Sequence, residues 1–391
     1  ERYRFVRLSM LRIQSEISET GFVAFIQRMK SLGHAFLKAL TYGEDGSFVF
    51  TMTDDLKTSP INMMLGVLMR NTRKDCTKLV QYILQWHESL GKIAYPRPDL
   101  MEQAELDWFA GHDDVFSLEQ MDIGNIHSLK TIVNWLVNVD FSTLEMFGQH
   151  GPGNSIVPGL SGTSILEEKE QFFAPTKRAQ KVNPMYKGSS IFHRYNKRLE
   201  VIDEYPDVYT NVEKDNGSRR SITQAPTDLM LAQQAIKAQI YKLTDAKKIR
   251  LGHFIEFGSQ EHSRQMALRG SGQRPGKLTL ATLDCKRASD LISVDLVDAV
   301  FTGDLHDKLM LVRAEEVVAV KKLNGTPVVT RSIRPRMYAG MGNACTFPVQ
   351  SIIFTAICLL ACIRAYYKEQ DGWVDPDLDE QYIFECLKHA F

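Results

Sequence analysis

Apolar positions along the chain fall into distinct patterns, and the changes between them mark out its parts. Up to about residue 145 they recur at steps of three and four, as in GFVAFIQRMKSLGHAFLKAL (21–40) and CTKLVQYILQWHESLGK (76–92), the spacing of amphipathic helices. A Gly/Pro/Ser-rich passage, GQHGPGNSIVPGLSGTS (148–164), reads as a loop or a boundary. TNVEKDNGSRRSITQAP (210–226) resembles two strands around a basic turn. The stripe Leu229, Ala232, Ile236, Ile240 and Leu243 then predicts one helix, capped by Thr227 or Asp228. After Gly272 the pattern becomes a short strand (278–284), a helix, a hairpin and a long apolar helix. The hairpin is predicted from EEVVAVKKLNGTPVVTRS (315–332), where Asn324-Gly325 separates two β-branched runs. SIIFTAICLLACI (351–363) predicts a buried helix, shorter than the ~20 residues of a membrane span. There is no internal repeat, and the fold class expected is α+β with a large helical lobe.

Composition bounds this picture only loosely. At 391 residues, 44% apolar and 24% charged, the chain suits a soluble protein of two or three lobes. Its formal net charge of zero argues against a generic nucleic-acid binder. The charge is nevertheless sorted. Asp99 to Asp122 holds eight acids and no Lys or Arg, whereas Lys177 to Arg198 holds seven Lys or Arg and no acid. Such sorting can fold into a basic channel and an acidic outer face. The six cysteines lack metal spacing. Cys358 and Cys362 read as core thiols, and a reducing compartment is expected. The N-terminus is amphipathic, has no signal-peptide core and starts without Met, so residues before Glu1 are expected.

Candidate chemistry begins with ATLDCKRASDLISVDLV (281–297), where a strand runs into Asp284 and Asp290 follows at the mouth of a helix. A buried carboxylate must be protonated, paired or metal-bound. Asp284 suits a metal ligand, because two-metal phosphoryl transfer needs carboxylates on a rigid strand end. It equally suits a helix cap or an ion pair with Lys286 or Arg287, and Asp290 with Ser289 makes a good N-cap. YAGMGNACTFPVQSIIF (338–354) is a glycine loop opening into an apolar helix. There Gly340 and Gly342 allow close backbone approach, and Asn343 and Thr346 add polar contacts. In VEKDNGSRRSI (212–222), Lys214, Arg219 and Arg220 can hold a triphosphate or form a solvated basic hairpin.

Taken in order, these stretches resemble the polymerase core of RNA phage replicases (leviviruses) and their narnavirus-like relatives. Val212, Lys214, Asn216, Arg220 and Ile222, with Pro226, Met230 and Gln233 downstream, are similar to motif F. Motif A is similar to Ala281, Thr282, Leu283, Asp284, Ala288, Ser289, Asp290, Ile292 and Ser293. Motif B is similar to Met341, Gly342, Asn343, Thr346, Phe347, Ser351, Ile353 and Phe354. The resemblance covers roughly residues 205–360. It implies a right-hand polymerase: 1–147 a helical N-terminal region, 148–275 fingers, and 276–391 a partial palm.

By that resemblance Asp284, with the backbone carbonyl of Cys285, would bind Mg²⁺ (or Mn²⁺), and Asp290 would share the catalytic role. Asp290, Ser289 and Asn343 would meet the ribose 2′-OH. Lys214, Arg219 and Arg220 would hold the triphosphate, with Gly342 and Thr346 completing the nucleotide site. Lys187, Arg194, Lys197 and Arg198, interleaved with Tyr186, Phe192 and Tyr195, would line the RNA path.

Two departures stand out: Gly217 replaces a Lys common in phage enzymes, and Gln350 replaces Asn. A third is larger. No Gly-Asp-Asp follows motif B, and Asp54-Asp55 and Asp113-Asp114 precede motif A. The split-palm replicases of splipalmiviruses carry Gly-Asp-Asp on a second polypeptide, so the resemblance implies a heterodimer in the host cytoplasm or mitochondrion. Its alternatives are a fragment of a single-chain replicase and an inactive RNA-binding relative.

Overall fold

The computed structural model describes residues 2–42, 48–50, 56, 83, 85, 98–115, 117–120, 122–157, 159, 161–165, 169, 176–182, 205–215, 218–271, 280, 283, 285 and 287–371. Two compact units emerge: Glu1–Leu106 with Asn211–Arg220, and Asp107–Thr210 with Ser221–Phe391.

In the first unit, α1 (Arg2–Thr20) and α2 (Phe22–Ala39) meet at Gly21, whose φ of +82° lets the chain turn. Phe25, Met29, Leu32 and Phe36 step by four, three and four along α2 and are all buried, as its periodicity predicts. β1 (Leu40–Tyr42) and β2 (Phe48–Phe50) form a small antiparallel pair. Of the expected helix over 76–92, only Ile83 and Gln85 are described, and both are helical. α3 (Pro98–Ala110) runs out of this unit into the second.

The second unit contains α4 (Ile123–Leu136), the hairpin β3 (Ser155–Val157) with β4 (Ser161–Thr163), and α5 (Lys177–Val182). β5 (Asp207–Asp215) and β6 (Ser218–Gln224) start and finish here. They are followed by α6 (Thr227–Asp245), α7 (Glu261–Ser271), α8 (Val294–Val300) and α9 (Gly303–Leu311). The hairpin β7 (Val317–Leu323) and β8 (Thr326–Ile333) precedes α10 (Thr346–Asp371).

The 229–243 stripe is the buried face of α6, and Ile236 and Ile240 are fully covered. Each such side chain contributes about 1.5–3 kcal/mol of burial energy. The predicted cap is corrected. Pro226 holds the N-cap position without a side-chain bond, and Thr227 and Asp228 are already helical. Asp228 is occupied elsewhere, accepting from Thr176 N at 2.7 Å and Thr176 Oγ1 at 2.6 Å. The glycine-rich passage is not a free linker: Ile156 bridges to Pro226, and a Cβ on Gly148 would lie 2.2 Å from Leu231 O.

The Asn-Gly hairpin is present, with φ of 52° at Asn324 and 83° at Gly325, the left-handed pair of a type I′ turn. Its place in the sheet adds something the pattern did not give. The order is β6-β5-β7-β8, with β5 parallel to β7 through Asp207–Tyr209. The basic hairpin and the Asn-Gly hairpin are thus neighbours in one sheet. Of the strand expected over 278–284, only Leu280 and Leu283 are described, and neither is in a strand; Leu283 is 85% exposed.

α10 is longer than the apolar run that predicted it. Its Thr346–Ala365 stretch is long and apolar enough to cross a membrane, though half of it is buried inside the protein. Val349, Ile352, Ile353, Ala356, Leu359, Leu360 and Ile363 join residues of α4, α6, α8 and α9 in the core, and a soluble protein's central helix looks the same by composition. The expectation of core thiols fails, because Cys358 and Cys362 lie on the exposed side of α10.

Candidate active site

The motif B loop is fixed by its backbone. Thr223, at the end of β6, donates its N–H to Met341 O at 2.7 Å. Gly342 has φ +112°, and a Cβ there would lie 2.2 Å from Thr223 O. Only glycine permits that approach. Gly340 is nearly as tight against the Thr223 side chain, at 2.7 Å. Gln233 of α6 spans the loop from behind. Its Nε2 donates to Val312 O at 2.9 Å, and its Oε1 accepts from Ala344 N at 3.2 Å. Asn343 is 6% exposed, donates to Val312 O at 3.3 Å and accepts from Cys345 N at 2.8 Å. Thr346 Oγ1 donates to Gly340 O at 3.0 Å. In this conformation Asn343 and Thr346 turn inward and support the loop.

The motif A turn is held differently. Asp290 does not cap the helix after it. Ser293 caps α8, its Oγ accepting from Leu296 N at 3.1 Å. That removes the structural explanation for Asp290 and leaves its carboxylate half-buried beside Ser289, whose Oγ donates to Asp290 Oδ1 at 3.2 Å. Burial pushes the Asp290 carboxyl up, against the opposing pull of Ser289, Arg287 and His112. Arg287, in the left-handed region at φ 54°, donates to Asp114 Oδ2 at 2.7 Å and to Gly111 O at 3.1 Å. His112 is buried, and its Nδ1 donates to Trp108 O at 2.9 Å. Burial pushes its pKa down, and the charge of Asp290 works against that shift. Motifs A and B are also tied directly, through Tyr338 N to Ile292 O at 2.7 Å and Val294 N to Arg336 O at 2.9 Å.

A buried polar cluster lies behind this site. Asp207, at the start of β5, is 3% exposed. Its carboxyl is pushed up to about 7 by burial, although the Arg178 and Arg313 cations pull it down. Arg313 follows Val312, the carbonyl on which both Gln233 and Asn343 converge.

The remaining predicted site residues belong to the first unit, are exposed, or fall outside the described residues. Lys214, Arg219 and Arg220 belong to the first unit, where Lys214 and Arg220 are exposed and Arg219 pairs with Glu213 at 3.4 Å. Cys285 is exposed. Asp284, Lys187, Arg194, Lys197 and Arg198 lie outside the described residues.

Comparison with protein families matches residues 173–370, just over half of the chain, to the family described as RNA replicase, beta-chain. The chain belongs to the RNA replicase beta-chain family. A search of curated proteins finds no match. The matched stretch of this replicase chain contains motifs F, A and B entire, and membership supports a role in RNA-directed RNA synthesis. Sequence reasoning missed the residues that hold the replicase motifs in place: Thr223, Gly111, His112 and Asp114. In the sequence Asp113-Asp114 shows only as an acidic pair that precedes motif A. The paired glycines of motif B were a usable signal for a close partner such as Thr223, whereas nothing in the sequence marked His112.

Proposed function

We propose that this replicase chain performs two-metal nucleotidyl transfer, with Asp284 as its metal-binding carboxylate and Asp290 sharing the catalytic role from the ribose side. A Gly-Asp-Asp element from outside these 391 residues would complete the site. The observation that carries the reading is the release of Asp290 from any capping duty. It sits half-buried with a hydroxyl and a cation near it, two residues before Ile292, whose carbonyl accepts from Tyr338 N. That is a costly place for an acid with only a structural role.

When bound, Mg²⁺ or Mn²⁺ would neutralise charge developing on the transferred phosphate. The described residues alone do not make its site: no three His, Cys, Asp or Glu among them gather as metal ligands. The metal assignment therefore rests on Asp284 and the Cys285 carbonyl by family resemblance. The chain's own residues select and orient the nucleotide. Ser289 and Asp290 face the ribose, and Asn343 reaches it by giving up its bond to Val312 O. Gly342 and Thr346 shape the loop beneath. Lys214, Arg219 and Arg220 take the triphosphate, Arg219 exchanging Glu213 for phosphate, and Lys187, Arg194, Lys197 and Arg198 guide RNA. The resemblance to split-palm replicases supports a second polypeptide as carrier of Gly-Asp-Asp.

The test is primer or template extension with Mg²⁺ or Mn²⁺ and ribonucleoside triphosphates, by this chain alone and with a chain carrying Gly-Asp-Asp. Extension only in the mixture, abolished by Asp284→Asn, is the expected result. Asp284-dependent extension by the chain alone would sink the two-chain reading, and extension indifferent to Asp284 would sink the catalytic assignment.

A further inference from the structure

We propose that the Gly111–Asp114 turn, which lies in none of the polymerase motifs, seats the ribose-facing turn of motif A, and that Arg287 is the positioning residue joining them. This rests on the reading of Asp290 as a ribose-facing residue. Arg287 works in two directions. Its carbonyl accepts from Asp290 N at 3.1 Å and Leu291 N at 3.2 Å, so its backbone sets the turn carrying Asp290. Its guanidinium grips Asp114 Oδ2 and Gly111 O at 2.7 and 3.1 Å, fixing where that backbone stands. The planar fork suits this two-point grip.

Gly111 is shaped for the contact. A Cβ there would lie 2.5 Å from Arg287 Nη2, so any larger residue displaces the guanidinium. The turn in its own right is anchored in the core. His112 is 1% exposed, and its ring packs edge-on against Trp108 at 4.6 Å. Trp108 in turn packs with Tyr209, Val317 and Met337 on the sheet. Met337 directly precedes the 338–354 stretch that contains motif B, and Ser293 bridges to it. Motif A is therefore referenced, through the 111–114 turn, to the same sheet that carries the motif B loop. The Arg287 and Asp114 side chains are 36% and 64% exposed. An ion pair so accessible adds little stability; what it supplies is placement.

The test compares ATP with 2′-deoxy-ATP as substrates of the assembled polymerase, measuring kcat and KM for each. Gly111→Ala and Arg287→Ala should lower the preference for the ribonucleotide about tenfold, since small misplacements of a contacting group carry costs of this order. Asp114→Ala, an exposed substitution that leaves the fold intact, reports on the same contact should the other two fail to fold. Asp114→Asn, which keeps a hydrogen-bond acceptor for Arg287, should restore most of the preference. Equal losses for both substrates, leaving the preference unchanged in all three variants, would overturn the proposal while Asp284-dependent extension still stood. Extension that does not depend on Asp284 would remove the polymerase reading and this inference with it.

Discussion

Motifs A and B are joined by backbone hydrogen bonds, yet they are held in place by different kinds of contact. The motif B loop is fixed by groups that cannot swing away: the Thr223 backbone, a glycine at φ +112°, and the buried amide of Gln233. The described part of the motif A turn hangs on a guanidinium reaching across partly exposed surface to Asp114 and Gly111. Leu283 and Cys285, on either side of Asp284, are exposed. The contrast assigns different jobs. Motif B is a preformed floor, and the described part of motif A is placed by a contact that water can reach. Preorganisation of this sort is what a nucleotide-selecting site needs on at least one side.

The contrast breaks most severely at Gly342. An alanine there puts its Cβ against Thr223 O, a backbone atom that cannot rotate aside. We expect a loss of at least about 3 kcal/mol, from overpacking and strained backbone together, and no extension activity. Urea unfolding measures the first. Gly325→Ala is the control, because Gly325 has φ +83° but no atom near its Cβ position. Its cost should be only the about 1–2 kcal/mol of the left-handed backbone. Equal costs at the two sites would show that the contact with Thr223 is not what fixes motif B.

Gln233→Ala tests the floor from beneath. It strips Ala344 N of its acceptor and leaves Val312 O with only the longer bond from Asn343. A buried donor without a partner costs about 1–3 kcal/mol, so a loss of about 2 kcal/mol is expected, with faster hydrogen exchange at Ala344. Exchange that speeds up only in the motif A turn would invert the assignment.

The two motifs also differed in how far the sequence disclosed them. α6 was legible because its stripe repeats at helical steps over fifteen residues, and the Asn-Gly hairpin because its turn demands those residues. Motif B was legible because its paired glycines carry a backbone requirement that shows as residue identity. The cap of α6 was misread, since Thr227 and Asp228 are good caps in isolation and only the fold shows Asp228 bound to Thr176. Cys358 and Cys362 were misread because an unbroken apolar run does not say which side of the helix is covered. The seat of motif A was invisible. Arg287 and Asp114 are 173 residues apart, and a lone Arg-Asp pairing leaves no periodicity or spacing to find.

Titration offers a third way to separate floor from turn, through Asp207 behind Val312 and Arg313. Its carboxyl, ordinarily near 3.8, is pushed up to about 7 in the fold. Between those values the folded protein keeps a proton that the unfolded chain has released, so stability falls as pH rises from about 4 to about 7. From pH 5 to about 7 only the folded form holds the proton, at about 1.4 kcal/mol per pH unit, so the expected drop is about 2–3 kcal/mol. It should vanish in Asp207→Asn. Urea midpoints at pH 5 and 8 read it directly. A stability that stays flat across this window, and is lowered equally at both pH values by Asp207→Asn, would mean that Arg178 and Arg313 hold the carboxylate charged and that the floor rests on an ion pair.

Arg287→Ala has the smallest effect on stability and bears most directly on the comparison. An ion pair this open to water is worth less than about 1 kcal/mol, and the residue's left-handed backbone is no easier for alanine. Global unfolding should therefore barely move, whereas the turn should loosen. Hydrogen exchange at Asp290 N and Leu291 N, both bonded to the Arg287 carbonyl, should quicken about tenfold, with Asn343 N and Thr346 N unchanged. If exchange instead quickened at both motifs, the shared bonds through Tyr338 and Val294 would dominate, and A and B would be one unit rather than a floor and a separately held turn. Were global stability to fall by more than about 2 kcal/mol, a range reserved for buried features, Arg287 would be part of the fold's support, and its exposed position would be misleading about its role.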